Sequence, residues 1–311
     1  MCLCQSTMAV NPNMVRSLVI ACLFIWSVSV ASERCVVDDH QREVCLDQAA
    51  QRIVSLSPGV TELLFAAGAG DRLVGTSSFS DYPEAAGDVP LIGSYKRIDM
   101  EAVLAAEPDL VVAWITGNPT EQVERLESLG VTVYWGEQRE FDDIARTLER
   151  YGRLAGSEAT ANAVAREFRQ RVEGFRRQFS EAAPVSVFYQ VWDDPLMTVN
   201  AEHLISKSIA LCGGDNIFAG LARLTPRIDI ESVLAADPEA ILAGGMGESD
   251  ASWLQAWRRF GDMQAVRNEH LFLVPPSSIQ RPTPRMLQGI ATICEQLQQV
   301  REQRSNNGGS A

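Results

Sequence analysis

The stretch RIDMEAVLAAEPDLVVA at positions 97–113 recurs as RIDIESVLAADPEAILA at positions 227–243. Ten of the seventeen positions are identical, and several others are mild changes, such as Glu107 against Asp237. Each copy has the pattern of a capped helix, a proline and a buried strand. Two copies alone exclude a short-period solenoid. We interpret them as equivalent segments of two similar lobes; chance similarity between two helix–strand units is the alternative.

Strand and helix patterns alternate along both halves of the chain. The apolar run from Ile53 to Leu56 is typical of a buried strand, and Ser57 followed by Pro58 is typical of a helix start. Similar patterns alternate around the second copy of the repeat. Such alternation predicts an α/β fold with a parallel sheet in each lobe. Residues 157–184 keep a helical period and predict one long helix between the two lobes.

These patterns divide the chain into five parts. We predict a signal peptide at residues 1–31, an N-terminal lobe at 32–155, a linking helix at 156–182, a C-terminal lobe at 183–304 and a disordered tail at 305–311. The apolar run in the first part has the length of a signal-peptide core and is shorter than a membrane span. Lipid attachment at Cys22 and retention as an N-terminal anchor are the alternatives.

The 311-residue chain has a formal net charge of −13, with 46% hydrophobic and 22% charged residues. This composition is typical of a soluble globular protein, and the length is sufficient for two domains with their own cores. Nucleic acids and anionic membrane surfaces need a basic footprint on the protein. The acidic balance therefore argues against both as partners.

Cleavage of the signal peptide would leave four cysteines, Cys35, Cys45, Cys212 and Cys294, which permit three pairings in an exported chain. The stretch CVVDDHQREVC has the pattern of two short strands around a turn, which favours a Cys35–Cys45 disulfide and leaves the other two cysteines to pair. Free buried thiols are the alternative. None of these cysteines has a neighbour at the CxxC spacing of a metal site.

Motifs of catalysis are absent from the sequence, which has no GxSxG, P-loop or HExxH and no GxGxxG after a predicted strand. None of the three histidines, His40, His203 and His270, lies at metal-ligand spacing from another histidine or a cysteine. We therefore expect no enzyme, no metal site and no cofactor. A secreted hydrolase that uses carboxylates is the alternative.

Aromatic residues lie at or just after the predicted strand ends, namely Phe79, Tyr95, Trp114, Trp135 and Trp192. In open parallel sheets, ligands bind beyond the carboxyl ends of the strands, and a cleft between two lobes has room for one. Rings at such positions suit a large, flat and partly apolar ligand. Packing in the core is the alternative for each ring.

The repeat places one glutamate at the same position of each lobe, Glu101 and Glu231. Each follows by two residues the aspartate expected to cap the helix, where a carboxylate stabilises the helix by about 0.3–1 kcal/mol. That local role explains one such residue, and duplication would copy it into both lobes. The functional interpretation is a matched pair of acidic groups for a basic partner with two-fold symmetry.

Four stretches in order, RIVSLSPGVTELLFAAG, SSFSDYPEAAGDVPLIGSY, MEAVLAAEPDLVVAW and CGGDNIF, resemble the periplasmic binding proteins of ABC importers that have a helical backbone. Within that family the resemblance is to the members that bind cobalamin (vitamin B12), and it covers nearly all of the chain after the signal peptide. It implies two Rossmann-like lobes bridged by one long helix, a periplasmic monomer, and delivery of cobalamin to a dimeric inner-membrane permease.

The resemblance also implies roles for individual residues. Phe79, Tyr95 and Trp114 correspond to rings that contact the corrin, and Arg281 to an arginine of the cleft. Two further correspondences concern the permease and the fold: Glu101 and Glu231 match docking glutamates that pair with permease arginines, and Cys212–Cys294 matches the disulfide of the C-terminal lobe.

Three departures from the family pattern bear on the ligand. Thr225 stands where a tryptophan is expected, and Ser277 where an acidic residue is expected four positions before Arg281. The stretch QVWDDPLM also differs, although Trp192 within it offers a replacement ring. A ferric siderophore or haem is therefore the alternative ligand.

These alternatives make different demands on the cleft. An anionic siderophore would need several cations, for which the candidates are Lys96, Arg97, Arg227 and Arg281. Haem would need an axial ligand such as Tyr95.

Overall fold

Two four-stranded parallel sheets form the frame of the protein in the computed structural model, which describes residues 33–245 and 247–308. The predicted signal peptide, with the alternatives at Cys22, lies outside the described residues. Within the described residues, no helix combines the length and the apolar character that a membrane span requires.

The secondary structure follows the predicted alternation. A hairpin of β1 (Arg34–Val37) and β2 (Glu43–Leu46) comes first. The N-terminal lobe continues with β3 (Ile53–Ser55), α1 (Pro58–Ala66), β4 (Leu73–Gly75), β5 (Gly93–Ser94), β6 (Arg97–Ile98), α2 (Met100–Ala105), β7 (Leu110–Trp114), α3 (Thr120–Ser128), β8 (Val133–Gly136) and α4 (Phe141–Ala155). After α5 (Glu158–Gln178), the C-terminal lobe contains β9 (Val185–Gln190), α6 (Leu204–Leu211), β10 (Gly214–Asn216), α7 (Ile230–Ala236), β11 (Ala240–Ala243), α8 (Ser252–Trp257), α9 (Gln264–Arg267), β12 (Leu271–Leu273), α10 (Pro276–Ile279) and α11 (Met286–Gly308).

The two sheets have the same topology. Their strand orders are β4-β3-β7-β8 and β10-β9-β11-β12, so that each runs second, first, third, fourth along the chain, and all neighbours are parallel. Alternate residues of each sheet belong to different hydrophobic clusters, as expected of sheets with helices on both faces. The predicted α/β fold with two lobes is confirmed.

The repeated stretches occupy the same place in the two sheets, because each provides the helix before the third strand and that strand itself. Asp99 and Asp229 cap these helices, and their carboxylates accept backbone N–H bonds at 3.0 and 2.7 Å. At the helix ends, the equivalent Glu107 and Asp237 both have positive φ, 45° and 41°. The sequence repeat is therefore a repeat of backbone conformation.

Each copy of the repeat is also fastened to the first strand of its sheet in the same way. Asp109 accepts a hydrogen bond of 3.1 Å from the backbone N–H of Arg52, next to β3. Its counterpart Glu239 accepts one of 2.9 Å from the backbone N–H of Ser186 in β9. Side chains that repeat a structural role in both lobes are what a duplication would preserve.

Two disulfides close the lobes. Cys35 is bonded to Cys45 across the β1–β2 hairpin, and Cys212 at the end of α6 is bonded to Cys294 on α11. The predicted pairs are present, and the alternative of free buried thiols is wrong. Each bridge is expected to stabilise the fold by about 2–4 kcal/mol.

Helix α5 joins the two lobes along one side, as predicted, with slightly shorter bounds. Its 21 residues span about 31 Å. Its buried side chains Ala161, Ala165, Phe168 and Val172 follow a helical period and belong to a hydrophobic cluster that contains residues of both lobes. The two sheets therefore share a core through this helix.

The last helix is longer than the sequence suggested. Residues 305–308, predicted to belong to a disordered tail, are helical, and the Ser305 hydroxyl donates a hydrogen bond of 3.0 Å to the carbonyl of Arg301. Asparagines and a glycine made the segment look irregular, but backbone bonds and this side-chain bond continue the helix. The rest of the predicted tail, residues 309–311, lies outside the described part of the chain.

A cluster of polar and charged side chains around the buried Glu62 connects the lobes on the side of the strands' carboxyl ends. We call Glu62, Asp81, Arg281, Thr283 and Arg285 the inter-lobe cluster. Glu62 on α1 is only 2% exposed, and Arg285 from the C-terminal lobe donates two bonds to its carboxylate, of 2.9 and 2.7 Å. The Thr283 hydroxyl donates to the same carboxylate. A buried carboxylate of one lobe is thus neutralised by the other.

A second contact joins the lobes through α6. Lys207 donates a bond of 3.0 Å to the carbonyl of Arg139 and forms an ion pair with Glu140, both of the N-terminal lobe. His203, one turn earlier, caps α6 by accepting from the N–H of Ile205. Burial, together with the charges of Arg139 and Lys207, lowers the pKa of His203 to about 4.

Removal of the buried carboxylate should loosen the lobes. Glu62→Ala leaves the guanidinium of Arg285 without its partner, and we expect it to lower the free energy of unfolding by about 3 kcal/mol. Urea denaturation measures this change, with Glu124→Ala, an exposed glutamate of α3, as the control. Equal losses in the two variants would contradict the role given to Glu62.

The neutral His203 should make stability depend on pH. Its folded pKa lies below the ordinary 6.5, so the unfolded chain binds the proton more readily; its contribution is full above about pH 6.5 and is lost as the pH falls towards 4. His203→Asn keeps an acceptor for the helix cap. Between pH 7 and pH 4.5, its free energy of unfolding should fall by about 2 kcal/mol less than that of the wild type. Urea unfolding at the two pH values measures this difference, with the exposed His40→Asn as control. An equal fall in the free energy of unfolding of His203→Asn and the wild type would contradict the role given to His203.

Candidate functional site

The carboxyl ends of the parallel strands carry most of the residues singled out from the sequence. Tyr95 follows the short β5, Trp114 is the last residue of β7, and Trp192 comes two residues after β9. Phe79 lies in the loop that follows β4, and Arg281 follows α10. Both sheets therefore contribute side chains to the edge where ligands bind in this type of sheet.

Tyr95 and Trp114 form a pair in the N-terminal lobe. Their ring centroids are 6.2 Å apart with the planes tilted by 45°, and both residues are partly exposed. The ammonium group of Lys96 lies 5.5 Å from the centroid of the Tyr95 ring. The pair presents an aromatic surface with one cation beside it, which suits a flat ligand that also carries polar groups.

Asn118, which the sequence interpretation missed, holds this pair in place. Its side-chain oxygen accepts a bond of 2.6 Å from the N–H of Trp114, and its amide group donates bonds of 2.9 Å to the carbonyls of Tyr95 and Leu56. The Trp114 ring also lies against Gly117, where an added Cβ would come within 1.8 Å of it. A strand followed by a TGNP turn was the only available signal.

Phe79 is presented by an unusual backbone conformation. Its φ is +66°, in the left-handed region that is costly for a residue with a side chain, by about 1–3 kcal/mol. Its ring is 73% exposed, and its carbonyl accepts a bond of 3.1 Å from Arg281 of the other lobe. A strained loop that exposes a large apolar ring is a feature expected of a binding site rather than of a core.

Arg281 lies between two carboxylates of the N-terminal lobe. Its guanidinium donates a bond of 2.6 Å to Asp81 and is 3.9 Å from a carboxylate oxygen of Glu62. Partial burial acts to raise the pKa of Asp81, but the hydrogen bond and charge of Arg281 outweigh it and hold that pKa below its usual value. Arg281 therefore links the lobes beside the exposed ring of Phe79.

The C-terminal lobe contributes a second pair of rings. Trp192 is 43% exposed, and its ring packs edge-on against Trp253 of α8, with centroids 5.9 Å apart. Its indole N–H donates a bond of 3.0 Å to the carbonyl of Asp194. Trp253, which the sequence interpretation also missed, is nearly buried and supports the exposed ring.

One of the five candidate rings, that of Trp135, does not face a ligand. Trp135 is 1% exposed, its indole N–H donates a bond of 3.1 Å to Glu127, and His40 stacks on its ring at 5.0 Å. It lies in β8, where the hairpin carrying His40 covers it, so the alternative of core packing holds. The strand-end pattern could not reveal that the hairpin packs there.

The residue expected to be acidic near Arg281 has an acidic neighbour instead. Ser277 donates a hydroxyl bond of 2.8 Å and a backbone N–H bond of 3.2 Å to the carboxylate of Glu248, which comes from the loop after β11. Glu248 thus places a carboxylate next to the position where the family pattern has an acidic residue. Thr225, the other departure, is exposed.

Glu101 and Glu231 are both exposed in the first turns of α2 and α7. Within the described residues, neither carboxylate has a hydrogen bond or an ion pair. Asp99 and Asp229, two residues before them, cap the helices. Both glutamates are therefore available to a partner at equivalent places of the two lobes.

The arrangement supports binding better than chemistry. The buried carboxylate of Glu62 is fully engaged by Arg285 and Thr283, which leaves it without a role as a general base. The cluster of possible metal ligands Glu33, Cys35 and Cys45 has both of its sulfurs in a disulfide.

Comparison with known proteins agrees with this geometry. The family model described as periplasmic binding protein matches residues 53–278. The vitamin B12-binding protein of Vibrio parahaemolyticus serotype O3:K6 is 33% identical over 258 residues, which cover 83% of this chain and 93% of that protein.

Solved structures give the same result. The periplasmic vitamin B12 binding protein BtuF of Vibrio cholerae superposes with a TM-score of 0.75 at 34% identity, covering 81% of this chain and 98% of that one. The periplasmic haem-binding protein BhuT has a TM-score of 0.72 at 20% identity, covering 81% and 99%, and shares the fold. The fold and these matches show that the chain belongs to the periplasmic binding protein family.

Proposed function

We propose that this protein binds cobalamin between its two lobes and delivers it to a dimeric ABC permease. The observation that carries the proposal is the set of partly exposed rings at the carboxyl edges of both sheets: Phe79, Tyr95, Trp114 and Trp192. A corrin is large, flat and partly apolar, and rings from two lobes suit its two faces. The relatives named for vitamin B12, at 33–34% identity over most of the chain, support the same ligand.

The alternative ligands find less support. A ferric siderophore with several negative charges would need free cations in the cleft, but Arg281 is paired with Asp81 and Arg285 with Glu62. Haem would need an axial ligand, and the ring of the best candidate, Tyr95, packs against Trp114. The haem-binding structures share only the fold at about one-fifth identity.

We also propose that the protein is an exported periplasmic monomer without catalytic activity. The two disulfides support export, because such bonds form and persist in oxidising compartments. The N-terminal apolar run would serve as the signal peptide. The hydrolase alternative would need a free pair of carboxylates near a ligand, and the inter-lobe cluster neutralises its carboxylates with guanidinium groups.

Docking on the permease is assigned to Glu101 and Glu231. They are exposed, occupy equivalent places on two lobes of like topology, and present one negative charge each to a partner with two-fold symmetry. Their place in the first helical turn complements the helix dipole, but that role needs no equivalence between lobes. Exposed charges of this kind contribute mainly to orientation and encounter rate.

Calorimetric titration of the mature protein with cyanocobalamin should give tight one-to-one binding, with ferric hydroxamate siderophore as a negative control. Trp114→Ala should weaken cobalamin binding by roughly tenfold or more, because it removes a large part of the aromatic surface. Leu129→Ala, an exposed apolar residue at the far end of α3, should leave the affinity unchanged. Wild-type affinity in Trp114→Ala would place that ring outside the site, and absence of heat with cobalamin would refute the ligand.

The double variant Glu101→Ala/Glu231→Ala should retain cobalamin binding and lose stimulation of permease ATPase activity in proteoliposomes that contain a reconstituted vitamin B12 importer. The control Glu121→Ala/Glu295→Ala removes one exposed glutamate from each lobe and should stimulate normally. Stimulation by the first double variant equal to that of the control would contradict the docking assignment.

A further inference from the structure

The inter-lobe cluster balances the charge of the cleft. Two guanidinium groups, Arg281 and Arg285, meet two carboxylates, Glu62 and Asp81, at distances of 2.6–3.9 Å. Arg285 is fully committed, because it donates two bonds to Glu62 and lies over the ring of Tyr82 at 3.9 Å. Arg281 also donates a bond of 3.1 Å to the carbonyl of Phe79, which lies in the same loop as Asp81.

Arg281 and its partner Asp81 differ in exposure. The side chain of Arg281 is 19% exposed, whereas that of Asp81 is 66% exposed. Asp81 is thus a surface carboxylate that reaches a largely buried cation, and its substitution need not open the core. The bonds to Asp81 and to the carbonyl of Phe79 use two of the five N–H groups of the guanidinium, and the remaining ones are donors suited to neutral acceptors.

We propose that Asp81 is a specificity-determining residue, which neutralises Arg281 so that the cleft accepts ligands with carboxamide side chains and rejects ligands with carboxylates. The inference rests on the proposed function and deepens it. Cobalamin carries carboxamides around its corrin, whereas haem carries two carboxylates. A carboxamide oxygen can accept a bond from Arg281 while Asp81 keeps the charge; a carboxylate would be desolvated beside Asp81 with no net positive charge to compensate it.

The remaining cations do not replace Arg281 in this role. Lys96 lies over the Tyr95 ring, Arg97 is exposed in β6, and Arg227 is exposed on the segment that pairs with Met197. Within the described residues, no side chain of these three forms a hydrogen bond or an ion pair with the loop of Phe79 or with the inter-lobe cluster. An anionic group that reaches the loop of Phe79 would therefore meet Arg281, and its affinity there would be set by whether Asp81 is charged.

The test compares haemin with haemin dimethyl ester, which has the same ring and no carboxylate charge. Asp81→Asn should bind haemin roughly tenfold more tightly than the wild type in tryptophan-fluorescence titrations, while the affinity for the ester changes by less than about twofold. Asp88→Asn removes the same charge from an exposed position of the same segment and should match the wild type. In Asp81→Asn/Arg281→Gln the gain in haemin binding should vanish, because the released cation is gone.

Equal haemin affinity in the wild type and Asp81→Asn would overturn the inference, as would an equal gain for haemin and its ester, which would indicate a wider cleft rather than a released charge. Thermal unfolding of each variant verifies the fold. Cyanocobalamin is titrated in parallel: its failure to bind the wild-type protein would refute the proposed function, while the haemin comparison would still report on Asp81.

Discussion

The buried ion pair between Glu62 and Arg285 is the constraint on which the geometry of the cleft depends. A carboxylate that is 2% exposed must be paired, and its partner comes from the other lobe. Because a buried charge cannot lose its partner without a large cost, this pair fixes how closely the lobes approach. The approach of the lobes in turn places Arg281 within reach of Asp81 and of the Phe79 carbonyl. Helix α5 and the shared core hold the lobes on one side, and the ion pair holds them on the side of the ligand.

The two lobes are built on one plan, which is visible both in their sheets and in the repeated stretch of sequence. The two sheets have identical topology, but their rings follow strands that do not correspond: Trp114 ends β7, the third strand of its sheet, and Trp192 follows β9, the first strand of the other sheet. The roles that are repeated, such as the caps Asp99 and Asp229, are those that the fold of a single lobe requires. The inter-lobe cluster shows no such repetition. A contact between the lobes needs an acidic side chain on one lobe and a basic side chain on the other, so equivalent positions cannot carry the same residue. The two lobes thus share the frame and the equivalent glutamates Glu101 and Glu231, whereas the contacts between the lobes are asymmetric.

The chemistry of the cleft follows from how its charges are disposed. Aromatic rings give area without selectivity between flat ligands, since corrin and haem are both flat and partly apolar. Selectivity needs groups that favour one polar periphery over another, and a guanidinium with a carboxylate partner favours neutral acceptors. Glu248, which accepts hydrogen bonds from Ser277 and comes from the loop after β11, adds a further carboxylate next to α10.

The sequence by itself determined the features that depend on local pattern: the alternation of strands and helices, the caps at Ser57, Asp99 and Asp229, the long helix, and the equivalence of Glu101 with Glu231. These follow from periodicity and from backbone hydrogen bonding, which act over a few residues. Only the tertiary structure decided that Trp135 is buried, that Asn118 fixes Trp114, and that Arg281 faces Asp81, which lies 200 residues earlier in the chain. Such contacts depend on how distant segments pack, and hydrophobic pattern sets which faces are buried but not which polar groups meet across the cleft.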